Sequence, residues 1–190
     1  EVQRAAGRAG GDRTDDGDDP IDDVVGAREG VAAHAAAVAG REVTEHTDGA
    51  VARLAEDHYY VSATSSGVAA FYRNMQRWAL QFSIQVTLSN VTGQLAAFNL
   101  AGPAARQVLQ PLTELNLSAD AFPYLGARQA DVMGIPATLL RVGFVGELGY
   151  EIHLPVNQAL EAWTCLLEQG STVGLQPFGL EAQRLLRLEK

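Results

Sequence analysis

An α+β fold, with helices packed on antiparallel sheets, is predicted by three features of this 190-residue chain. Short strand-like runs come in pairs joined by turn residues, at 50–54 with 58–63, at 84–92 with 94–100, and within 127–144. Segments with apolar residues at helical spacing alternate with those pairs, as expected when helices cover one face of an antiparallel sheet. The hydrophobic fraction of 47% is enough for a core, and its bulky members are concentrated in the later part of the chain.

No aromatic residue precedes Tyr59, no leucine precedes Leu54, and Ile21 is the only isoleucine in that part. Residues 1–46 are therefore read as a biased segment, either disordered or translated from a non-native frame, since they use mainly residue types with GC-rich codons. Within them Asp12 to Asp23 superficially has the spacing of a calcium loop. Asp19 stands where an apolar residue belongs, Pro20 follows, and the last position is Asp rather than Glu, so a solvated acidic tail is the better reading. Residues 24–40 are alanine-rich, with only a thin apolar stripe.

The formal charge of −9 argues against a nucleic-acid partner, because neutralising phosphates needs a basic patch and none is visible in the sequence. No apolar run reaches the roughly 20 residues of a membrane span, and the acidic N-terminus does not resemble a secretory signal. The single cysteine, Cys165, lies in an apolar helical stretch and reads as a buried reduced thiol. A cytoplasmic location, with no membrane and no nucleic-acid partner, is expected.

From residue 47 onward a domain is expected to run to 190. Residues 50–54 and 58–63 form a hairpin turning at Glu56-Asp57. Ser65-Ser66 then read as helix caps, and Val68, Phe71, Met75, Trp78 and Phe82 describe one helical face, better explained as core than as a cofactor pocket. Strands at 84–92 and 94–100 turn at Gly93, and Gly102-Pro103 opens a helix to about Leu112 with proline at its first position. Ser118 to Pro123 is a short helical or turn segment, and the pair within 127–144 turns at Gly134-Ile-Pro136. Ala159, Leu160, Trp163, Leu166 and Leu167 mark an amphipathic helix stopped by Gly170. A last helix begins near Leu180 and is still in its pattern at Lys190, so the domain is expected to be partial, truncated at its C-terminal end.

The stretch from Arg141 to Pro155 reads as strand, turn, strand, with Gly146 and Gly149 bracketing the turn. Alternation puts Tyr150, Ile152 and Leu154 on one face and Glu151 and His153 on the other. Glu151 then fits two readings: the half-solvated face of an edge strand, or a partly desolvated carboxylate accepting a paired N–H fork from a planar ligand. Glu147, in the turn, faces solvent or accepts turn N–H bonds. No dinucleotide or phosphate-loop motif is present, so no flavin or NAD site is visible. His34, His46, His58 and His153 do not fall at zinc spacings, and no serine lies in a nucleophile elbow.

Several ordered strings carry a family resemblance. They are Phe-Val-Gly-Glu-Leu-Gly-Tyr-Glu-Ile (144–152), Gly-Leu-Gln-Pro-Phe-Gly-Leu-Glu-Ala-Gln-Arg-Leu-Leu-Arg-Leu-Glu-Lys (174–190), the stretch 48–61, Ala-Gly-Pro-Ala-Ala-Arg (101–106) and Leu-Ser-Ala-Asp-Ala-Phe-Pro (117–123). Together they resemble the aminomethyltransferase family, which includes the glycine-cleavage T-protein and the folate-binding domains of dimethylglycine and sarcosine oxidising enzymes. Within it the chain is most similar to the C-terminal part of sarcosine oxidase alpha subunits. The resemblance covers about 48–190.

The resemblance implies a tetrahydrofolate site in which Glu151 grips the pterin ring, with Phe144 and Tyr150 in the pocket and Gln183 where T-proteins carry a folate-binding arginine. Phe144 stands where the T-protein branch usually has tyrosine. Asp48, in the pair Thr47-Asp48 where the family has two aspartates, is either the acid near folate N5 or a hairpin-turn aspartate. The implied reaction moves a one-carbon unit onto tetrahydrofolate to give 5,10-methylenetetrahydrofolate, with flavin-bearing oxidase subunits as partners supplying an iminium ion. The alternative is a non-catalytic assembly module or an inactive fragment of that family.

Overall fold

Turn chemistry and strand alternation organise both halves of the chain. The computed structural model describes residues 2–4, 49–64 and 66–189, which fall into two units divided after Val91. The calcium-like loop, the alanine-rich stretch, His34, His46, Asp48 and Ser65 lie outside the described residues.

In the first unit β1 (Val2–Arg4), β2 (Val51–Ala55), β3 (His58–Val61) and β4 (Val86–Leu88) form an antiparallel sheet in the order β2-β3-β1-β4. The predicted hairpin is present, with a register shift between Arg53 and Ala55. The Arg53 side chain fastens the turn, donating from Nε to the Ala55 carbonyl at 3.2 Å and from its guanidinium to the Glu56 carbonyl at 3.3 Å. Helix α1 (Val68–Gln81) buries Met75 and Trp78 against Tyr59, Val61, Phe71, Val86 and Leu88, the core role expected of that stripe.

Two details of α1 differ from expectation. Its N-cap is Gly67, without a side-chain cap, and the Thr64 carbonyl instead accepts the N–H groups of Gly67 and Val68 at 2.9 and 3.0 Å. Ser66 is exposed. Phe82, expected on the buried stripe, is 44% exposed because the helix stops at Gln81 and Ser83 turns the chain with φ of 53°.

In the second unit β5 (Leu95–Ala101), β6 (Ala127–Val132), β7 (Ile135–Leu140) and β8 (Gly149–Pro155) form an antiparallel sheet in the order β5-β8-β7-β6. The hairpin expected between 84–92 and 94–100 does not form: β4 and β5 belong to different sheets. Across from β8, β5 aligns Ala96, Phe98 and Leu100 with Leu154, Ile152 and Tyr150, so its apolar alternation meets an apolar face along its whole length. The β6–β7 turn is tighter than expected and centres on Met133-Gly134, both with positive φ (59° and 73°), the backbone of a two-residue hairpin loop.

Helix α2 (Ala105–Leu109) starts two residues beyond Pro103, which lies in the preceding turn, and a 3-10 turn, Gln110–Leu112, follows it. Helix α3 (Ala159–Gly170) turns Ala162 and Leu166 inward, whereas Leu160 is 78% exposed and sits off the predicted stripe. Helix α4 (Leu180–Glu189) begins where expected and buries no residue. The core lies on one face of the sheet, where Tyr150, Ile152, Leu154, Leu139 and Val132 meet α2, α3, Leu117 and Phe122. Burying such side chains contributes about 1.5–3 kcal/mol each relative to exposure.

Candidate functional site

β8 is flanked by β5 and β7, so Glu151 sits on a central strand and not on the edge strand that its solvated reading assumed. The alternation holds: Tyr150, Ile152 and Leu154 are fully buried in the core, and Glu151 projects from the opposite face. Directly across from Glu151 are Asn99 on β5 and Leu140 on β7. Its side chain is 30% exposed, and Oε2 lies 3.3 Å from Nε2 of His153, whose side chain is 7% exposed. With Leu140 at 1% exposure on one side, the carboxylate stands partly covered on this face. Asn99 adds a second polar group there: its Oδ1 is buried and has no hydrogen-bond partner among the described residues.

The loop 141–148 holds β8 in place by close backbone approach. A Cβ on Gly149 would lie 2.6 Å from the Val142 carbonyl oxygen, and one on Gly143 would lie 2.5 Å from that of Glu147. This folding-back ends β7 at Leu140 and not at Phe144. Arg141 anchors the loop by donating from its guanidinium to the Phe122 carbonyl at 2.6 Å, and the Gly102 N–H donates to the Leu148 carbonyl at 2.8 Å. Phe144 is 37% exposed, with the guanidinium of Arg187 4.4 Å from its ring centroid, a cation–π contact between loop and α4.

Gln183, one helical turn before Arg187 on α4, lines a cleft of about 670 Å³ beside β5. Asn99, Pro103, Trp163, Phe178 and Leu186 also line it. That volume suits a ligand of cofactor size. Glu151 does not line the cleft; Asn99, with Ala97 and Ala101 on the same face of β5, lines it from the Glu151 side.

The predicted residues thus separate. Glu151 has Asn99 and His153 beside it, Phe144 meets Arg187, Gln183 faces the cleft, and Tyr150 packs in the core with its hydroxyl near Leu117 and Arg106. Asn99 and Arg187 were not singled out from sequence. Alternation along 94–100 puts Asn99 on the less apolar face, but its position across from Glu151 depends on register between distant strands. Cys165, expected to be buried, is only half-buried; burial, then Glu168 and Glu161, push its thiol above its ordinary pKa. Among the described residues no group of three or more His, Cys, Asp and Glu could hold a metal, and no helix is long and apolar enough to cross a membrane.

A cleft of this size beside a sheet face that carries a carboxylate and a buried amide oxygen with no hydrogen-bond partner among the described residues is the candidate ligand site of this α+β domain. Residues 36–190 match the family described as GCVT N-terminal domain, and the chain belongs to that family. It is 33% identical to sarcosine oxidase subunit alpha of Rhizobium meliloti (strain 1021) over 149 residues, 76% of this chain and 15% of that protein. It is also 33% identical to the aminomethyltransferase of Alkaliphilus metalliredigens (strain QYMF), over 73% of this chain and 37% of that protein. Human mitochondrial dimethylglycine dehydrogenase is 36% identical over 60% of this chain and 14% of that protein. The fold is similar to a chain of the heterotetrameric sarcosine oxidase from Corynebacterium sp. U-96, with a TM-score of 0.58 and 22% identity over 70% of this chain and 65% of that one. The chain therefore spans a minor part of the length of the curated relatives it matches.

Proposed function

We propose that this chain is a tetrahydrofolate-binding, one-carbon transfer domain of a sarcosine oxidase alpha-like protein, forming 5,10-methylenetetrahydrofolate. The observation that carries this reading is Glu151, a partly covered carboxylate on a central strand, facing away from the core. A pterin presents a ring N–H beside an exocyclic amino group, and a carboxylate accepts that pair as a charge-assisted fork. Family membership supports the choice of ligand, and relatives named sarcosine oxidase subunit alpha and aminomethyltransferase support the reaction class. Phe144, held by Arg187, and Gln183, in the cleft, are the further proposed folate contacts.

In this reading tetrahydrofolate is a substrate. Glu151 fixes the pterin, so that N5 meets an incoming iminium or formaldehyde carbon, and Asp48 stabilises the developing cation, an orienting and electrostatic role. The iminium comes from a flavin-bearing partner subunit, a proposal supported by the heterotetrameric assembly named for the structural relative.

Titration of the 190-residue chain with tetrahydrofolate tests this. Glu151→Gln should lose on the order of 2–3 kcal/mol of binding, the scale of a hydrogen-bonded pair with a charged group. Asp48→Asn should retain affinity and slow transfer. No binding, or an unchanged affinity in Glu151→Gln, ends the folate reading. The chain's 15% share of the Rhizobium relative favours a second reading, a module that acts only within an assembly; that reading expects no binding by the chain alone and recovery with partner subunits.

A further inference from the structure

We infer that Asn99 is a second ligand-reading residue. Together with Glu151 it selects planar ligands whose edge presents three adjacent N–H bonds, one from the ring and two from an exocyclic amino group. The inference deepens the folate reading and rests on it.

Asn99 and Glu151 are directly opposed in the β5–β8 pair. Opposed residues share a face, with Cβ atoms roughly 4.5–5.5 Å apart. Phe98 and Leu100, on either side of Asn99, belong to the core side, so the amide is on the Glu151 side. Its Oδ1 is buried without a hydrogen-bond partner among the described residues, and Asn99 also borders the cleft. A buried acceptor left unpaired lowers stability, and such groups in folded chains call for a partner.

A carboxylate fork takes the ring N–H and one amino N–H, because its two oxygens match two parallel donors. The second amino N–H points away from that fork and needs another acceptor alongside. Asn99 Oδ1 supplies it. An aspartate at this place would set two like charges across adjacent strands, which disfavours both ionised forms. An amide accepts without that repulsion.

The test titrates the full chain, and its Asn99→Ala and Asn99→Leu variants, with tetrahydrofolate and with its 2-desamino-2-methyl analogue. Asn99→Ala should weaken tetrahydrofolate binding about tenfold, the scale of one hydrogen bond. The analogue has no amino N–H, so its weaker binding should be the same in the wild type and in Asn99→Ala. Asn99→Leu should lose tetrahydrofolate to a similar degree while melting no lower than the wild type, because the orphaned acceptor is gone; this arm holds even if the alanine variant folds poorly. Equal losses for both ligands would reduce Asn99 to packing and overturn the inference. So would unchanged tetrahydrofolate affinity in Asn99→Ala beside a clear loss in Glu151→Gln, an outcome that leaves the folate reading standing. Absence of tetrahydrofolate binding by the wild type removes the folate reading and the inference with it.

Discussion

Removing a single oxygen from Tyr150 separates a core role from a ligand-binding one. The Tyr150 ring is fully buried, with Phe122 at 6.0 Å between centroids and the Arg141 guanidinium 6.0 Å from its own centroid. Its hydroxyl donates to the Leu117 carbonyl at 3.5 Å and accepts from Arg106 Nε at 3.4 Å. Both separations are well beyond the usual 2.7–3.0 Å, so each bond falls at the weak end of the ordinary range, about 0.5 kcal/mol. Tyr150→Phe keeps every ring contact and should cost about 1 kcal/mol in total, whereas truncation to alanine should cost about 3–5 kcal/mol. For a chain of this length the first figure lowers the melting temperature by roughly 2–4 °C. Thermal melts followed by circular dichroism, paired with tetrahydrofolate titration, measure both quantities on one sample. Melting should shift by that amount while tetrahydrofolate affinity stays within about twofold, since one weak bond to ligand is the least that contact would forfeit. If affinity fell tenfold with melting unchanged, the hydroxyl would be touching ligand, and the assignment of faces along β8 would be wrong.

Ser83→Gly should stabilise the first unit by about 0.5–1 kcal/mol, read from the urea midpoint, because Ser83 occupies the left-handed position after α1. There the Ile84 N–H reaches the Ala79 carbonyl at 2.8 Å and the Ser83 N–H reaches that of Leu80 at 3.2 Å, the bonding of a Schellman cap. Gly149→Ala should cost about 1–3 kcal/mol and weaken ligand binding as well, because the added methyl would lie 2.6 Å from the Val142 carbonyl and displace the loop before Glu151. The raised pKa of Cys165 means that the folded chain holds the thiol proton more tightly than the unfolded chain. Its stabilising contribution is complete below the ordinary thiol pKa and is lost as pH rises through the raised one. Urea midpoints of the wild type should therefore fall more steeply than those of Cys165→Ser across that alkaline range, and parallel curves would refute the shift.

What sequence could disclose follows from the range of each signal. Period-two alternation is local, and it placed Tyr150, Ile152 and Leu154 together and Glu151 opposite them, as the structure has it. Strand partnership is long-range. The Gly93 turn looked like a hairpin, yet β4 pairs with β1 while β5 crosses to β8, so neither the central position of Glu151 nor the presence of Asn99 across from it could be read in advance. Capping sat between these cases: the Ser pair is a good local signal, but the Thr64 carbonyl reached the same N–H groups first. Tyr150 shows how the two kinds of signal compete, because adjacency to Glu151 within the motif grouped it with the site whereas alternation set it on the other face. Neighbours in a strand share a motif without sharing a surface. The residues that do share a surface with Glu151 are its cross-strand partners and His153 two positions on, and it is among them that the chemistry of this face has to be sought.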